Sequence, residues 1–256
     1  MSDKNLRFLN ECTNEELDVL VKIILDRFSE TLSVDEKYKK YAPNHRMYVD
    51  VICEELIAFG TRGGVFANII LGDKPYREIV YDVCKKMEVS VESRASLEQM
   101  EQALMEMMLK KTWDSYSEEE REEFLKEMGA DAQTFIRGKG GMAGEALIQI
   151  IRMGGFAPYK WAAILANAIA KMIVGRGLAF GVNAAIMRGI VVFAGPIGAT
   201  VMGFYTLYDL AGPAYKVTVP AVIYIAALRQ TYLQKREPLS DEDLEGVTVN
   251  ERVRVE

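Results

Sequence analysis

The side chains that most often catalyse reactions in proteins are scarce in this chain of 256 residues. Its single histidine, His45, follows a proline and an asparagine at a predicted helix start. One histidine cannot provide both a general base and a metal site, so we predict a surface or capping role for it. The sequence therefore argues against a histidine-dependent enzyme and against a zinc site.

Three cysteines lie far apart in the sequence and lack the spacing of metal ligands: Cys12, Cys53 and Cys84. Their odd number and their positions on apolar stripes favour small buried side chains in a reducing compartment over a disulfide framework. An acidic run within residues 114–123 could attract a cation, but helix capping and a solvated helix face explain it better. We therefore predict no catalytic residue, no bound metal and no cofactor.

A glycine-rich run at residues 137–144 has the loose spacing of a dinucleotide-binding loop, with Gly138, Gly140 and Ala143 at the matching positions. Such a loop follows a buried strand, whereas the residues before this run are predicted to be helical. The Gly-Lys-Ser/Thr signature of a phosphate loop is also absent. We interpret the run as a hinge, and an enzyme that uses it is the third hypothesis for function.

Amphipathic helices explain the pattern of residues 1–136. Thr13 and Glu16 form a predicted capping box ahead of the first apolar stripe, and Ser117 and Glu120 form another. The apolar stripes with helical spacing cover residues 17–28, 48–59, 65–71, 76–87, 97–108 and 124–128. No convincing alternation of period two occurs before the extreme C-terminus, so the sequence predicts an all-α, multi-helix bundle with a Gly/Ala-rich apolar C-terminal half.

A ladder of small residues runs through that apolar half: Gly177, Gly181, Ala185, Gly189, Gly195, Ala199 and Gly203. Positions four apart share one face of a helix, where small side chains let another helix approach closely. Glycine in an exposed helix costs about 1 kcal/mol relative to alanine, so the pattern makes sense where close packing returns that energy. We predict that these seven residues form a helix-packing or membrane interface.

Charge divides the chain into unlike parts. Residues 142–235 hold eight Lys and Arg against two acids, whereas the net charge of the whole chain is −6. We predict an acidic amphipathic domain at 1–136, a cationic Gly/Ala-rich helical region at 137–235 and an acidic, disordered tail at 236–256. The negative net charge and the lack of a basic stripe argue against binding to nucleic acid.

The apolar half consists of blocks separated by charged residues, and only the block at 189–208 has the 20 residues needed to cross a bilayer. The others, at 161–170, 177–187 and 217–228, are shorter. A bundle of short apolar helices that shield one another is the favoured interpretation, with Pro196, Pro213 and Pro220 near helix starts. The first residues lack the apolar run of a signal peptide, so we expect a cytoplasmic protein.

Several segments resemble the YaaW family of uncharacterised bacterial proteins. They are Glu55-Leu56, Phe59-Gly60, Asn68, Gly72, Tyr76-Arg77, Ile79, Asp82-Val83, residues 195–198, residues 214–222 and the opening segment at 6–17. The resemblance covers most of residues 6–230 and implies an all-α domain that is sometimes grouped with ubiquinol-cytochrome c assembly chaperones. It implies no established reaction and no catalytic residues.

Two functions fit these observations. The first is a non-enzymatic, assembly-chaperone-like protein that packs its small-residue helices closely against a protein partner at or near the membrane. The alternative is a membrane-active effector whose glycine-faced helices insert and oligomerise in the bilayer. The charged residues that interrupt the apolar half disfavour easy insertion, so we expect the contact-based function.

Overall fold

The computed structural model of the protein describes residues 3–25, 30–61, 74–128, 143–152, 156–178, 200, 203 and 213–236. These residues contain helices and turns and no strand, which confirms the all-α prediction. The α-helices are α1 (Asn14–Leu25), α2 (Glu30–Val34), α3 (Glu36–Tyr41), α4 (Val49–Gly60), α5 (Tyr76–Lys86), α6 (Leu97–Ser115), α7 (Glu118–Met128), α8 (Ala143–Arg152), α9 (Phe156–Val174) and α10 (Pro213–Arg236). Short 3-10 helices cover Lys4–Glu11 and His45–Tyr48.

The helix starts follow local sequence rules. At α1 the Glu16 carboxylate accepts the Thr13 N–H at 2.8 Å while the Thr13 hydroxyl accepts the Glu16 N–H at 3.2 Å, so the predicted capping box is confirmed. The same reciprocal pair forms between Ser117 and Glu120 at α7. A third box, which the sequence analysis missed, places Ser96 ahead of α6. Each box satisfies backbone donors that the first helical turn leaves open.

Helix α10 is the centre of the bundle. Every residue from 217 to 228 is buried, and α10 packs on α1, α4, α5, α6 and most extensively on α9. Residues 161–170 of α9 are also all buried. For these two blocks the prediction of short apolar helices that shield one another is confirmed. A helix whose faces are all apolar needs other helices packed around it, because every face must be kept from water.

One proline prediction is wrong. Pro213 begins α10 as expected, but Pro220 lies inside that helix instead of near a helix start. The buried packing on both sides of Pro220 outweighs the loss of one backbone donor, because tertiary contacts routinely override local propensity. In the described part of the chain, no helix has the length and apolar character needed to cross a membrane.

Helices from both sides of residue 137 share one apolar core. Helix α1 packs on α9 and α10, and α6 packs on α8 and α10. Trp161 from α9 and Tyr224 from α10 are among the largest fully buried side chains, and so are Leu17 and Leu20 of α1. The domain boundary at residue 136 stays a prediction. The shared core favours dependence of residues 1–136 on the later helices for folding.

Candidate functional site

Two carboxylates meet two guanidinium groups beside α6. Glu101 and Glu106 project from α6, Arg229 comes from α10, and Arg152 is the last residue of α8. Five residues turn an α-helix by about 140°, so the two glutamates leave α6 on different sides and each pairs with an arginine from a different helix. Helices distant in sequence therefore bring a mixed-charge cluster together beside α6.

The first pair is buried. Arg229 Nε donates to Glu101 Oε2 at 2.7 Å, and the side chains are 14% and 5% exposed. The Tyr76 hydroxyl lies 3.5 Å from the other oxygen of Glu101, and the guanidinium carbon of Arg229 sits 4.5 Å from the centre of the Phe8 ring. Burial raises the pKa of Glu101, and the charge of Arg229 opposes that rise.

The second pair is more open. Arg152 binds Glu106 with two hydrogen bonds, from Nε to Oε1 at 2.7 Å and from Nη2 to Oε2 at 2.5 Å. The Gln102 amide donates to the same Oε1 at 3.0 Å. The Arg152 side chain is 61% exposed whereas that of Glu106 is 9% exposed, so the arginine covers the carboxylate from the solvent side. This fork-to-fork geometry fixes the orientation of both groups.

Two cavities adjoin the cluster. One of about 240 Å³ lies between α6, α9 and α10 and is lined by Glu98, Glu101, Gln102, Met105, Glu106, Arg152, Pro158, Ala226, Arg229, Gln230 and Leu233. A second of about 480 Å³ lies against the turn before α6, and it shares Gln102, Glu106 and Arg152 with the first. The Glu106–Arg152 pair therefore stands at the boundary between them.

The pairing determines what this cluster can do chemically. Both oxygens of Glu101 and both oxygens of Glu106 face a donor, so neither carboxylate is poised as a free general base. In the described residues no group of three or more His, Cys, Asp or Glu could hold a metal ion. The arrangement is suited to holding a ligand or a partner by hydrogen bonds and charge.

The prediction of a surface or capping role for His45 is wrong, because the residue is 5% exposed. Its Nε2 lies 3.3 Å from Asp18 Oδ1, and its Nδ1 lies 2.5 Å from the Tyr48 hydroxyl. A neutral ring satisfies both contacts if Nε2–H donates to Asp18 and Nδ1 accepts from Tyr48. Burial lowers the pKa of His45, and Asp18 opposes that shift. Neither cavity is lined by this histidine, which links α1 to the start of α4.

The three cysteines are buried and unoxidised. Burial raises the pKa of Cys53 and of Cys84 to about 12, so these two thiols are held in their unreactive protonated form near neutral pH. Of the glycine-rich run, residues 137–142 lie outside the described residues, whereas Ala143 and Gly144 belong to α8.

Two members of the predicted small-residue ladder are described. Gly177 lies in the turn after α9, where an added Cβ would come within 2.5 Å of Asn167 Oδ1; the same oxygen accepts the Leu178 N–H at 2.8 Å. Gly203 is helical and exposed, and an added Cβ would meet no atom of the described residues within 4 Å. Gly181, Ala185, Gly189, Gly195 and Ala199 lie outside the described residues, so the interface stays a prediction.

Sequence reasoning missed the charged cluster, although one signal was present. Glu101 lies four residues after Leu97 and three before Leu104, which places a carboxylate on the buried stripe of α6. An acid on an apolar stripe is almost never fully buried without a partner. Its partner, Arg229, lies 128 residues away, and no local pattern connects the two.

The fold and the cluster define an all-α protein with a mixed-charge cavity at the surface of a buried central helix. Over 252 residues the chain is 32% identical to a UPF0174 protein of Helicobacter pylori strain J99, covering 96% of this chain and 98% of the relative. It is 28% identical over 240 residues to the UPF0174 protein YaaW of Escherichia coli strain K12, covering 90% of this chain and 95% of the relative. The chain therefore belongs to the UPF0174 family, and the predicted resemblance to YaaW is confirmed. No family model and no solved structure matches the chain.

Proposed function

We propose that this protein works by binding a protein partner, in the manner of an assembly chaperone, and that the partner packs against the small-residue segment at 177–203. Two observations support the proposal. The charged groups beside α6 are held in pairs, and the only histidine is buried away from both cavities. These features favour binding over catalysis.

The observation that carries the proposal is the position of Gly203. This glycine is in a helical conformation and exposed, and no atom in the described part of the chain lies within 4 Å of where its Cβ would be. A helical glycine in water costs about 1 kcal/mol relative to alanine, and no described residue contacts the Cβ position of Gly203 to return that energy. A partner helix that approaches this face to backbone distance would return it.

A photo-crosslinking experiment in cells tests the proposal. A photoreactive phenylalanine derivative at position 203 is expected to form an adduct with a discrete polypeptide. The matched control places the same group at Lys39, an exposed residue of α3 on which the proposal places no partner. Adducts at both positions, or at neither, would contradict the proposal.

A substitution separates partner binding from folding. Gly203→Leu fills open space, so the melting temperature of the purified protein is expected to change little. The same change puts a large side chain where the partner's backbone would approach, so co-purification of the crosslinked partner with the variant is expected to be lost. Co-purification at the wild-type level would mean that Gly203 is not at the interface.

A further inference from the structure

The turn between α3 and the 3-10 helix His45–Tyr48 is positively charged, unlike the chain as a whole. Residues 37–49 contain four Lys and Arg and no acid, whereas the net charge of the whole chain is −6. One of the four, Lys37, pairs with Asp50 of α4. The other three are exposed and make no ion pair within the described part of the chain; they are Lys39, Lys40 and Arg46. We call residues 39–47 the cationic tip.

The geometry of α3 turns two of these cations toward water. Tyr38 and Tyr41 are half-buried and lie three residues apart, which places them on one face of the helix. The Tyr38 ring packs edge-on against the Tyr48 ring, with 5.7 Å between the ring centres. Lys39 and Lys40 lie between the two half-buried tyrosines in sequence and therefore leave α3 on its solvent side.

The 3-10 helix exposes the third cation together with an apolar side chain. Such a helix has three residues per turn, so the buried His45 and Tyr48 share its inner face. Arg46 and Met47 lie between them and face solvent. Met47 is 50% exposed, which few large hydrophobic side chains in the described residues are. Charge and apolar surface therefore meet at the same turn.

Hydrogen bonds hold the backbone of the cationic tip in one shape. The Asn44 N–H donates to the Tyr41 carbonyl at 2.6 Å, and the Met47 N–H donates to the Asn44 carbonyl at 3.1 Å. The Arg46 N–H donates to Asn14 Oδ1 of α1 at 3.2 Å. A surface that is fixed before binding loses less conformational freedom when it binds.

The cationic tip combines the two features that hold proteins on a charged bilayer. Ala42, Pro43 and Met47 present apolar atoms, and the three cations lie on both sides of Pro43 in sequence. An anionic bilayer offers phosphate groups to Lys and Arg and an apolar boundary just beneath them. Salt screens charges beyond about 10 Å at moderate ionic strength, so the local charge of the tip decides this contact more than the net charge of the chain.

Nucleic acid is the other polyanion that a cationic surface can bind, and the aromatic rings disfavour it. Proteins hold unpaired bases by stacking them on exposed rings. Here Tyr48 is fully buried and Tyr38 packs against it. Lys40 Nζ lies 5.0 Å from the centre of the Tyr41 ring. The rings beside the tip are thus engaged within the protein, whereas Met47 is left to an apolar surface.

We propose that the cationic tip docks this protein on an anionic membrane surface, with Lys39, Lys40 and Arg46 at the lipid phosphates and Met47 in the headgroup region. The contact is peripheral and reversible, because it rests on a few charges and one large apolar side chain. It goes beyond the proposed partner binding and does not involve Gly203, so either proposal can fail without the other. A lipid at Lys39 forms no polypeptide adduct, so the crosslinking control at that position keeps its meaning.

Co-sedimentation of the full chain with lipid vesicles tests the proposal. The protein is expected to bind vesicles of equal parts phosphatidylglycerol and phosphatidylcholine, less as salt is raised, and not to bind pure phosphatidylcholine. Each Lys or Arg near an anionic surface strengthens binding about fivefold, so Gln at all three tip positions is expected to weaken it about a hundredfold. Equal binding to the two kinds of vesicle, or binding to neither, would overturn the proposal.

Two matched controls separate the tip from overall charge and hydrophobicity. Lys4, Arg7 and Lys85 are exposed cations on other helices, and Gln at all three changes the net charge by the same amount without an expected loss of binding. Met47→Ser is expected to weaken binding about fivefold, which is about half the effect of fully burying a methionine. Leu233→Ser removes a side chain of similar exposure, 48%, and is expected to change nothing. Losses in the controls as large as those at the tip would overturn the proposal.

A competition experiment distinguishes the membrane from nucleic acid. A single-stranded oligonucleotide is added to the vesicle-bound protein until its phosphates equal the exposed lipid phosphates in number. The protein is expected to stay on the vesicles, because the oligonucleotide offers Met47 no apolar boundary. Release of the protein into a complex with the oligonucleotide would overturn the assignment to a membrane surface. All the substituted side chains are exposed, so an unchanged melting temperature is expected for every variant.

Discussion

Removing Arg229 tests how strongly the buried ion pair holds the bundle together. Arg229→Met keeps much of the side-chain volume over Phe8 but leaves the Glu101 carboxylate with the Tyr76 hydroxyl as its remaining contact. Glu101 is 5% exposed, so water from the adjoining cavity replaces the guanidinium group only in part. Breaking a buried pair by removing one partner typically costs about 3–5 kcal/mol. We expect a loss of that size in the free energy of unfolding from urea denaturation at pH 7.

The second ion pair is the matched control. Arg152 makes two hydrogen bonds to Glu106, one more than Arg229 makes to Glu101, yet its side chain is 61% exposed. Removing Arg152 would open the Glu106 carboxylate to solvent, which solvates its charge, so Arg152→Met is expected to cost far less than Arg229→Met. Equal losses in the two variants would refute the reasoning, because burial would then not determine the cost.

The pH dependence identifies the cause of the loss. Burial raises the pKa of Glu101, and without Arg229 the pKa rises further because the opposing charge is gone. A raised pKa in the folded state means that the folded protein binds a proton more readily than the unfolded chain. The stability of Arg229→Met relative to wild type should therefore recover as the pH falls and Glu101 becomes protonated. A deficit that is independent of pH would show that lost packing on Phe8, and not the unpaired carboxylate, causes the loss.

Three further predictions concern the rest of the fold. Burial lowers the pKa of His45 in the folded state, so the neutral ring stabilises the fold above the pKa of histidine in the unfolded chain, and this stabilisation is lost as the pH falls. His45→Gln should therefore flatten the decline in melting temperature between pH 7 and 5. A profile that matches wild type would contradict this expectation. An added Cβ at Gly60 would lie 2.3 Å from Ile79 Cδ1, so Gly60→Ala should cost about 1–3 kcal/mol in urea denaturation, while an unchanged midpoint would mean that Ile79 moves aside freely. The sequence predicts that residues 1–136 fold alone, but α9 and α10 complete their core in the structure. We therefore expect a fragment of residues 1–136 to aggregate or unfold without cooperativity by circular dichroism, and a soluble fragment with a cooperative transition would support the sequence-based prediction instead.

The sequence predicts the helices well because their signals are local. The capping boxes at Thr13 and Ser117 each need only two side chains three residues apart, and both form as expected. The stripe at 48–59 becomes α4, which ends at Gly60. Apolar periodicity and capping act within a few turns, so one sequence is enough to locate them.

The candidate site could not be predicted, because its residues meet only in the fold. Glu101 and Arg229 are 128 positions apart, and the Glu106–Arg152 pair spans 46. The same limit explains the wrong prediction for His45, whose partner Asp18 lies on α1. A polar residue near a helix start suggests a cap when only its neighbours are considered. The docking of other helices, which the sequence does not reveal, buries it.

Glu16 shows how a local motif also acquires a tertiary role. Its carboxylate closes the capping box of α1, and the same Oε2 accepts the Tyr232 hydroxyl of α10 at 2.8 Å. The Tyr224 hydroxyl, about two turns earlier on α10, donates to the Glu16 backbone carbonyl at 3.0 Å. The start of the first α-helix is therefore hydrogen-bonded to the central helix from the other end of the chain. Because two tyrosines of α10 bind the carboxylate and the carbonyl of Glu16, the cap and the shared core support each other, and loss of α10 would remove both hydrogen bonds.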